Sequence, residues 1–110
     1  MSPQRGEVWW ADLGMTAKPR PIVILSRHDP DPPRKLTIYV PVTGQNRGSN
    51  YEVELPRLPF LTAGSTANVQ GIASGETADK TLFQRKLGDL PADIMDKIEK
   101  AVLFAVGTAD

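Results

Sequence analysis

Two prolines bracket Arg20 in Lys18-Pro19-Arg20-Pro21, and the apolar run Ile22-Val23-Ile24-Leu25 follows directly, closing on Ser26. This stretch restricts the fold more than any other. A proline fixes its own φ near about −65° and pushes the residue before it into extended backbone, so the chain enters the run stiffly. The run is β-branched and apolar on both faces, which suits a strand buried on two sides. Arg20 is then held rigidly at the mouth of a buried strand, which makes it the leading candidate for an active-site residue. Val40-Pro41-Val42-Thr43 ends a second strand-like run in the same way, and the polar turn Gly44-Gln45-Asn46-Arg47-Gly48 follows it. The two strand ends are expected to share one rim.

The whole chain has 110 residues, enough for one core, and residues 1–110 are expected to form a single domain. No window approaches the roughly 20 consecutive apolar residues that span a bilayer, and the N-terminus lacks the basic-then-apolar layout of a secretion signal. A cytoplasmic location with no membrane contact is the expectation. The sequence contains no cysteine and one histidine, so a disulfide framework, a thiolate metal site and a multi-histidine site are all unexpected. Thirteen basic and thirteen acidic side chains cancel, which removes any global electrostatic case for a nucleic-acid partner. A local patch must do that work. Residues 1–60 hold eight of the basic and six of the acidic groups, so the proposed rim lies in the slightly basic part.

Strands are expected over residues 7–12, 21–26, 36–40 and 51–55, the last two alternating at period two. The connections at 14–19, 29–35 and 44–50 carry glycine and proline at the density that turns require. A fifth strand is expected over 65–72, with Thr66, Asn68 and Gln70 on one face. From 91 to 106 the period changes: Ile94, Ile98, Ala101, Val102 and Ala105 form one helical stripe, with Pro91 in the first turn and Gly107 as the stop. Asp89 or Leu90 must then serve as a weak N-cap. Short strands with a single terminal helix imply a small, strongly curved barrel.

Several segments in register carry a family resemblance. Arg5-Gly6-Glu7-Val8-Trp9-Trp10-Ala11-Asp12-Leu13, Arg20-Pro21 leading into Ile22, Val40-Pro41-Val42-Thr43 and the terminal helix, in this order, resemble the MazF/PemK family of toxin endoribonucleases, over roughly residues 4–107. The resemblance implies a mainly β fold with a C-terminal α-helix, a small SH3-like β-barrel acting as a homodimer. It implies sequence-selective, metal-independent cleavage of single-stranded RNA without a cofactor, under the control of a cognate antitoxin. It also implies a catalytic pair of Arg20 and Thr43, and products ending in a 2',3'-cyclic phosphate and a 5'-hydroxyl.

The chemistry of those two side chains is consistent with that role. RNA carries its own nucleophile in the 2'-oxygen, so the protein need only position the nucleotide, move protons and stabilise a transition state more negative than the substrate. A rigid guanidinium presents a planar fork of donors matched to phosphate oxygens, and a threonine hydroxyl adds another donor. The resemblance gives acid–base duty to the same arginine, although a guanidinium holds its proton with a pKa above about 12. Lys18 and Arg47 are candidate phosphate contacts, while Gln45, Asn68 and Gln70 carry amides able to read base edges.

Structural roles stand beside each assignment. Arg20 would equally serve a structural ion pair, Thr43 a turn, Lys18 and Arg47 a solvated surface, and Asn68 and Gln70 the wet face of a strand. Trp9 and Trp10 point to opposite faces of a strand, one filling the core and the other at a dimer contact or stacked on a base. His28 sits in a turn-rich loop. Leu58, Phe60 and Leu61 form either part of an antitoxin surface or a loop tucked onto the core.

Two departures from the family pattern bear on specificity. The segment before Arg20 is shorter than the loop that many members close over RNA, and Asn68-Val69-Gln70 replaces an acidic residue followed by glutamine. Base preference should differ accordingly, and the near-neutral charge implies a smaller salt dependence than a basic member would show. The expected partner is an antitoxin whose disordered acidic tail folds along the dimer, any contact with DNA running through that antitoxin. A toxin of this fold that binds DNA gyrase, or a bare binding module, would share the architecture and lack the chemistry.

Overall fold

The inner strands form because their residues find apolar neighbours on both faces. In the computed structural model, which describes residues 2–14 and 18–108, Ile22, Val23 and Ile24 are fully buried. They belong to β2 (Arg20–Ile24), which lies antiparallel between β1 (Glu7–Ala11) and β3 (Leu36–Thr43). Alternation sends Val8, Val23 and Val40 into a larger core. Trp9, Ile22, Ile24 and Tyr39 go to a smaller core on the opposite face, together with Ala11 and Phe83. Of the tryptophan pair, Trp9 is therefore the core residue, and Trp10 is half-buried opposite Pro21 and Arg85.

β4 (Glu52–Glu54), β5 (Thr66–Asn68), a 3-10 turn (Val69–Gly71), β6 (Ala73–Glu76), β7 (Phe83–Asp89) and α1 (Ala92–Ala105) complete the order. The sheet runs β4-β5-β3-β2-β1-β7, and β6 also pairs with β3. β3 is thus the shared strand. One edge carries β2, while the other carries β6 as far as the Tyr39↔Ala73 pair and β5 from the Val42↔Ala67 pair onward. Pro41 falls in the gap between those partners. The Leu25 N–H donates to Ile38 O, so alternation turns Val40 and Val42 toward β2 and the Pro41 nitrogen toward the gap, where its missing N–H deprives no neighbour. Gly71 covers the ring there, and a Cβ at that position would lie 2.5 Å from Pro41 Cγ.

The expected SH3-like arrangement, mainly β with a C-terminal helix, is present, with one correction: the sheet does not close into a barrel, because β4 and β7 at its two ends do not pair. Side chains fill that opening. Ile94, Met95, Ile98 and Ala101 of α1 pack with Val53 and Leu55 in the larger core, joined by Leu61 and the half-buried Leu58 and Phe60. The Phe60 ring lies over Gly88 of β7, where a Cβ would stand 2.3 Å from its Cε1. The 56–61 loop is therefore tucked onto the core.

Three further expectations change. The fifth strand stops at Asn68, whose side chain accepts the Gln70 N–H and starts the 3-10 turn. Thr66 is fully buried rather than on a wet face with Asn68 and Gln70. Pro91 is itself the N-cap of α1, without a side-chain cap bond, rather than a residue of its first turn. At the other end Gly107, at φ 80°, lets the Thr108 N–H reach Leu103 O and the Gly107 N–H reach Phe104 O, a Schellman stop.

One buried carboxylate ties the outer strand to the N-terminus. Glu7 Oε1 accepts from the Gln4 N–H at 2.8 Å and from Trp9 Nε1 at 3.0 Å, and Oε2 meets Lys86 Nζ of β7 at 3.0 Å. Burial pushes the Glu7 pKa up, but the hydrogen bonds from Trp9, Lys86 and Gln4, helped by the Lys86 charge, pull it below the ordinary carboxylate value. Glu7→Ala strands those donors and should cost about 1–3 kcal/mol in chemical denaturation at neutral pH. Because the folded-state pKa is depressed, this stabilisation is full above the unfolded-state value and fades as pH falls through the folded one. The stability gap between wild type and the variant should therefore narrow in acid, and a constant gap would show that the charge is irrelevant.

Candidate active site

The register of β2 against β3 sets the geometry of the rim. Ile22 faces Pro41, Val23 faces Val40 and Ile24 faces Tyr39, so the same register continued to the strand ends sets Arg20 opposite Thr43. Both side chains line one cleft of about 430 Å³, together with Gln45, Arg47 and Asn68. Pro19, Val42 and Gly44 complete its wall. The two strand ends do share a rim. Residues 15–17 of the segment before Arg20 lie outside the described residues, so the short loop is seen only at its ends.

Arg20 is half-buried, and its Nε makes a long contact of 3.4 Å with Lys18 O. Among the described residues no carboxylate lies within ion-pair distance of it, and none lines the cleft. Among the described residues a structural ion pair therefore has no partner, and the guanidinium has donors to offer a ligand. Thr43 Oγ1 donates to Gln45 O at 3.1 Å, the turn bond that is the alternative role for this residue, and the oxygen keeps its lone pairs as acceptors. Arg47 Nη2 donates to Gln45 Oε1 at 2.9 Å, so the cation and the amide on this loop are coupled.

Asn68 is oriented by its cap. Its Oδ1 accepts the Gln70 N–H at 2.9 Å, which leaves the amide NH₂ as the free end in the cleft. Lys18 and Gln70 are exposed and stay outside the cleft lining. His28 lies beyond the far end of β2, contacting Gln4 Oε1 at 3.4 Å in a separate, larger groove. Among the described residues no three His, Asp or Glu side chains converge as metal ligands would, and no helix is long and apolar enough to cross a membrane.

One residue near the rim was not anticipated. Glu52 at the start of β4 accepts the Arg47 N–H at 3.0 Å on Oε2, and the Ser49 N–H at 3.2 Å and Ser49 hydroxyl at 2.6 Å on Oε1. The Ser49 hydroxyl bond, followed by the Arg47 N–H, holds the Glu52 carboxyl below the ordinary carboxylate value. The signal was available in Ser49-Asn50-Tyr51-Glu52, which has the spacing of a capping box but precedes a strand instead of a helix.

Comparison with known proteins gives concordant matches. The family described as PemK-like, MazF-like toxin of type II toxin–antitoxin system matches residues 4–106. The probable endoribonuclease MazF5 of Mycobacterium tuberculosis is 34% identical over 93 residues, covering 84% of this chain and 81% of the relative. Endoribonuclease MazF6 of the same species is 26% identical over 107 residues, covering 89% and 91%. Among solved structures, a mycobacterial endoribonuclease in complex with its cognate antitoxin superposes with a TM-score of 0.78 at 26% identity, covering 96% of this chain and 95% of that one.

Proposed function

Because this chain belongs to the PemK-like, MazF-like family of type II toxin–antitoxin toxins, we propose that the Arg20–Thr43 cleft is its RNA-cleavage site. The protein is an endoribonuclease toxin, as its named relatives are. Those relatives favour cleavage over gyrase binding by the same fold. The observation that carries the assignment is the convergence on one rim of a hydroxyl and a guanidinium that has no acidic partner among the described residues.

The substrate is single-stranded RNA, whose unpaired bases can splay into an open cleft. Attack of the 2'-oxygen on phosphorus puts growing negative charge on the non-bridging oxygens, and Arg20 donates to them from backbone that needs no reorganisation. Thr43 exchanges its turn bond for a donor contact to the same group. The P–O5' bond breaks as the O2'–P bond forms, while water takes the 2'-hydroxyl proton and returns one to the departing 5'-oxygen. The products are a 2',3'-cyclic phosphate and a 5'-hydroxyl, with no metal needed to supply a nucleophile. Arg47 meets a flanking phosphate. Gln45 and Asn68 face the bases, whereas Lys18 and Gln70, outside the cleft lining, act further along the strand. A mycobacterial relative is held by a cognate antitoxin; this chain is controlled in the same way, by an antitoxin with a disordered acidic tail, and works as a cytoplasmic homodimer.

Cleavage of a defined oligonucleotide in EDTA should proceed unchanged, and a 2'-deoxy substitution at the scissile nucleotide should abolish it. Persistent cutting of the deoxy substrate would refute the mechanism. Arg20→Ala should lower turnover about 10²–10³-fold, as removal of a preorganised transition-state donor does, while shifting stability by less than about 0.5 kcal/mol. A folded, fully active variant would place the site elsewhere. Asn68→Asp keeps the cap oxygen but replaces cleft-facing donors by an acceptor, so the base preferred at one position of the cleavage motif should change from an acceptor edge to a donor edge. Sequencing of fragment 5' ends reads this directly, and an unaltered motif would remove Asn68 from base reading.

A further inference from the structure

We infer that Glu52 is a positioning residue of the nuclease, tethering the 44–50 loop so that Gln45 and Arg47 meet the RNA in fixed places. The inference rests on the assignment of the cleft as the cleavage site. Every residue from 44 to 50 is exposed, so burial contributes little to holding this segment down. Gly48, at φ 74°, adds backbone freedom. Hydrogen bonds must supply the order.

Those bonds have a clear layout. Within the segment Arg47 bonds Gln45, and the Gly48 N–H bonds Asn46 Oδ1 at 2.8 Å. Among the described residues the bonds that leave it run to Thr43 at one end and to Glu52 at the other. Glu52 makes the larger share, accepting three donors and giving its own N–H to Ser49 O at 3.2 Å. Its backbone is fixed in turn, because it pairs with Asn68 of β5. One strand pair thus connects the loop anchor with a residue of the cleft wall.

The surroundings argue that the carboxylate serves the loop. Lys97 and Lys100 of α1 share a shallow groove with Glu52 and Glu54, yet among the described residues neither lysine lies within ion-pair distance of Glu52. Arg47 offers it a backbone N–H, while the Arg47 guanidinium bonds Gln45. Without the tether, Arg20 and Thr43 would remain on their strands, and the loss would fall on substrate binding.

Electrostatics and positioning predict opposite signs for one substitution. Removing an acidic residue near a polyanion's path should by charge alone strengthen RNA binding, whereas loss of the tether should weaken it. In steady-state cleavage of an RNA oligonucleotide carrying one mapped cut site, Glu52→Ala should raise KM about tenfold and alter kcat less than about twofold, the pattern for loss of uniform binding. Glu52→Gln, which retains one acceptor oxygen for Ser49, should fall between. Glu54→Ala, an exposed carboxylate on the same strand, should leave KM unchanged or lower it. An unchanged or lowered KM in both Glu52 variants overturns the inference, as does an equal rise in Glu54→Ala. Glu52→Gln decides the matter if the alanine variant does not fold. Should Arg20→Ala cleave normally, the cleavage-site assignment fails and takes this role with it; an inactive Arg20→Ala beside unaltered Glu52 variants overturns the role of Glu52 alone.

Discussion

The antiparallel register between β2 and β3 is the constraint on which the rest depends. It is well specified, because the paired residues Ile22, Val23, Ile24, Tyr39 and Val40 are all buried and point alternately into two cores. A slip of one residue would exchange Val23 with Ile22 or Ile24 between two cores of different size and shape, and would move every neighbouring side chain to the wrong face. That penalty also fixes the ends of the strands. Arg20 and Thr43 face each other at the rim because residues deeper in the sheet cannot pack in another alignment.

β3 can serve as the common strand because it changes partners along one edge. With β6 on its first part and β5 on its last, it collects two segments that one continuous partner could not supply. The change of partner also tolerates Pro41, which would cost a ladder bond at almost any other place in a central strand. The end that carries Thr43 is thereby bordered by β2 and β5, bringing Arg20 and Asn68 to either side of it. The sheet stays open as a consequence, and α1 with the 56–61 loop covers the apolar surface that a closed barrel would have hidden.

What could be seen from the sequence follows from where burial leaves a periodic mark. α1 is legible because its apolar positions repeat at the helical period, β2 because it is one unbroken β-branched apolar run, and the proline-flanked entry marks Arg20 independently of any pattern. β6, with Ala-Ser-Gly-Glu, and most of β7, with Gln84, Arg85 and Lys86, left no such mark, since they lie toward solvent and owe their extended form to the neighbours they bond. The fifth strand was read too long because Asn68 has a short polar side chain that competes with the ladder for a backbone N–H, which composition alone does not reveal. Within the candidate site, the residues on strand ends carry a motif. Glu52 carries no comparable mark, because its proposed role depends on a turn that returns it to donors three and five residues earlier.

The cleft divides its tasks between two kinds of support. Arg20 and Thr43 stand on the ends of buried strands, where a change of position would disturb both cores, so the chemistry proposed for them is protected from variation in the surrounding surface. Gln45 and Arg47 stand on an exposed loop held by hydrogen bonds, and these contacts can be altered without cost to the fold. A chain with no net charge gains little from long-range attraction of RNA, so its selectivity must come from such short contacts held in fixed places. The tether inferred at Glu52 would replace part of what a basic surface otherwise provides: order in the proposed binding loop before RNA arrives lowers the entropy lost on binding and offsets the weak electrostatic pull.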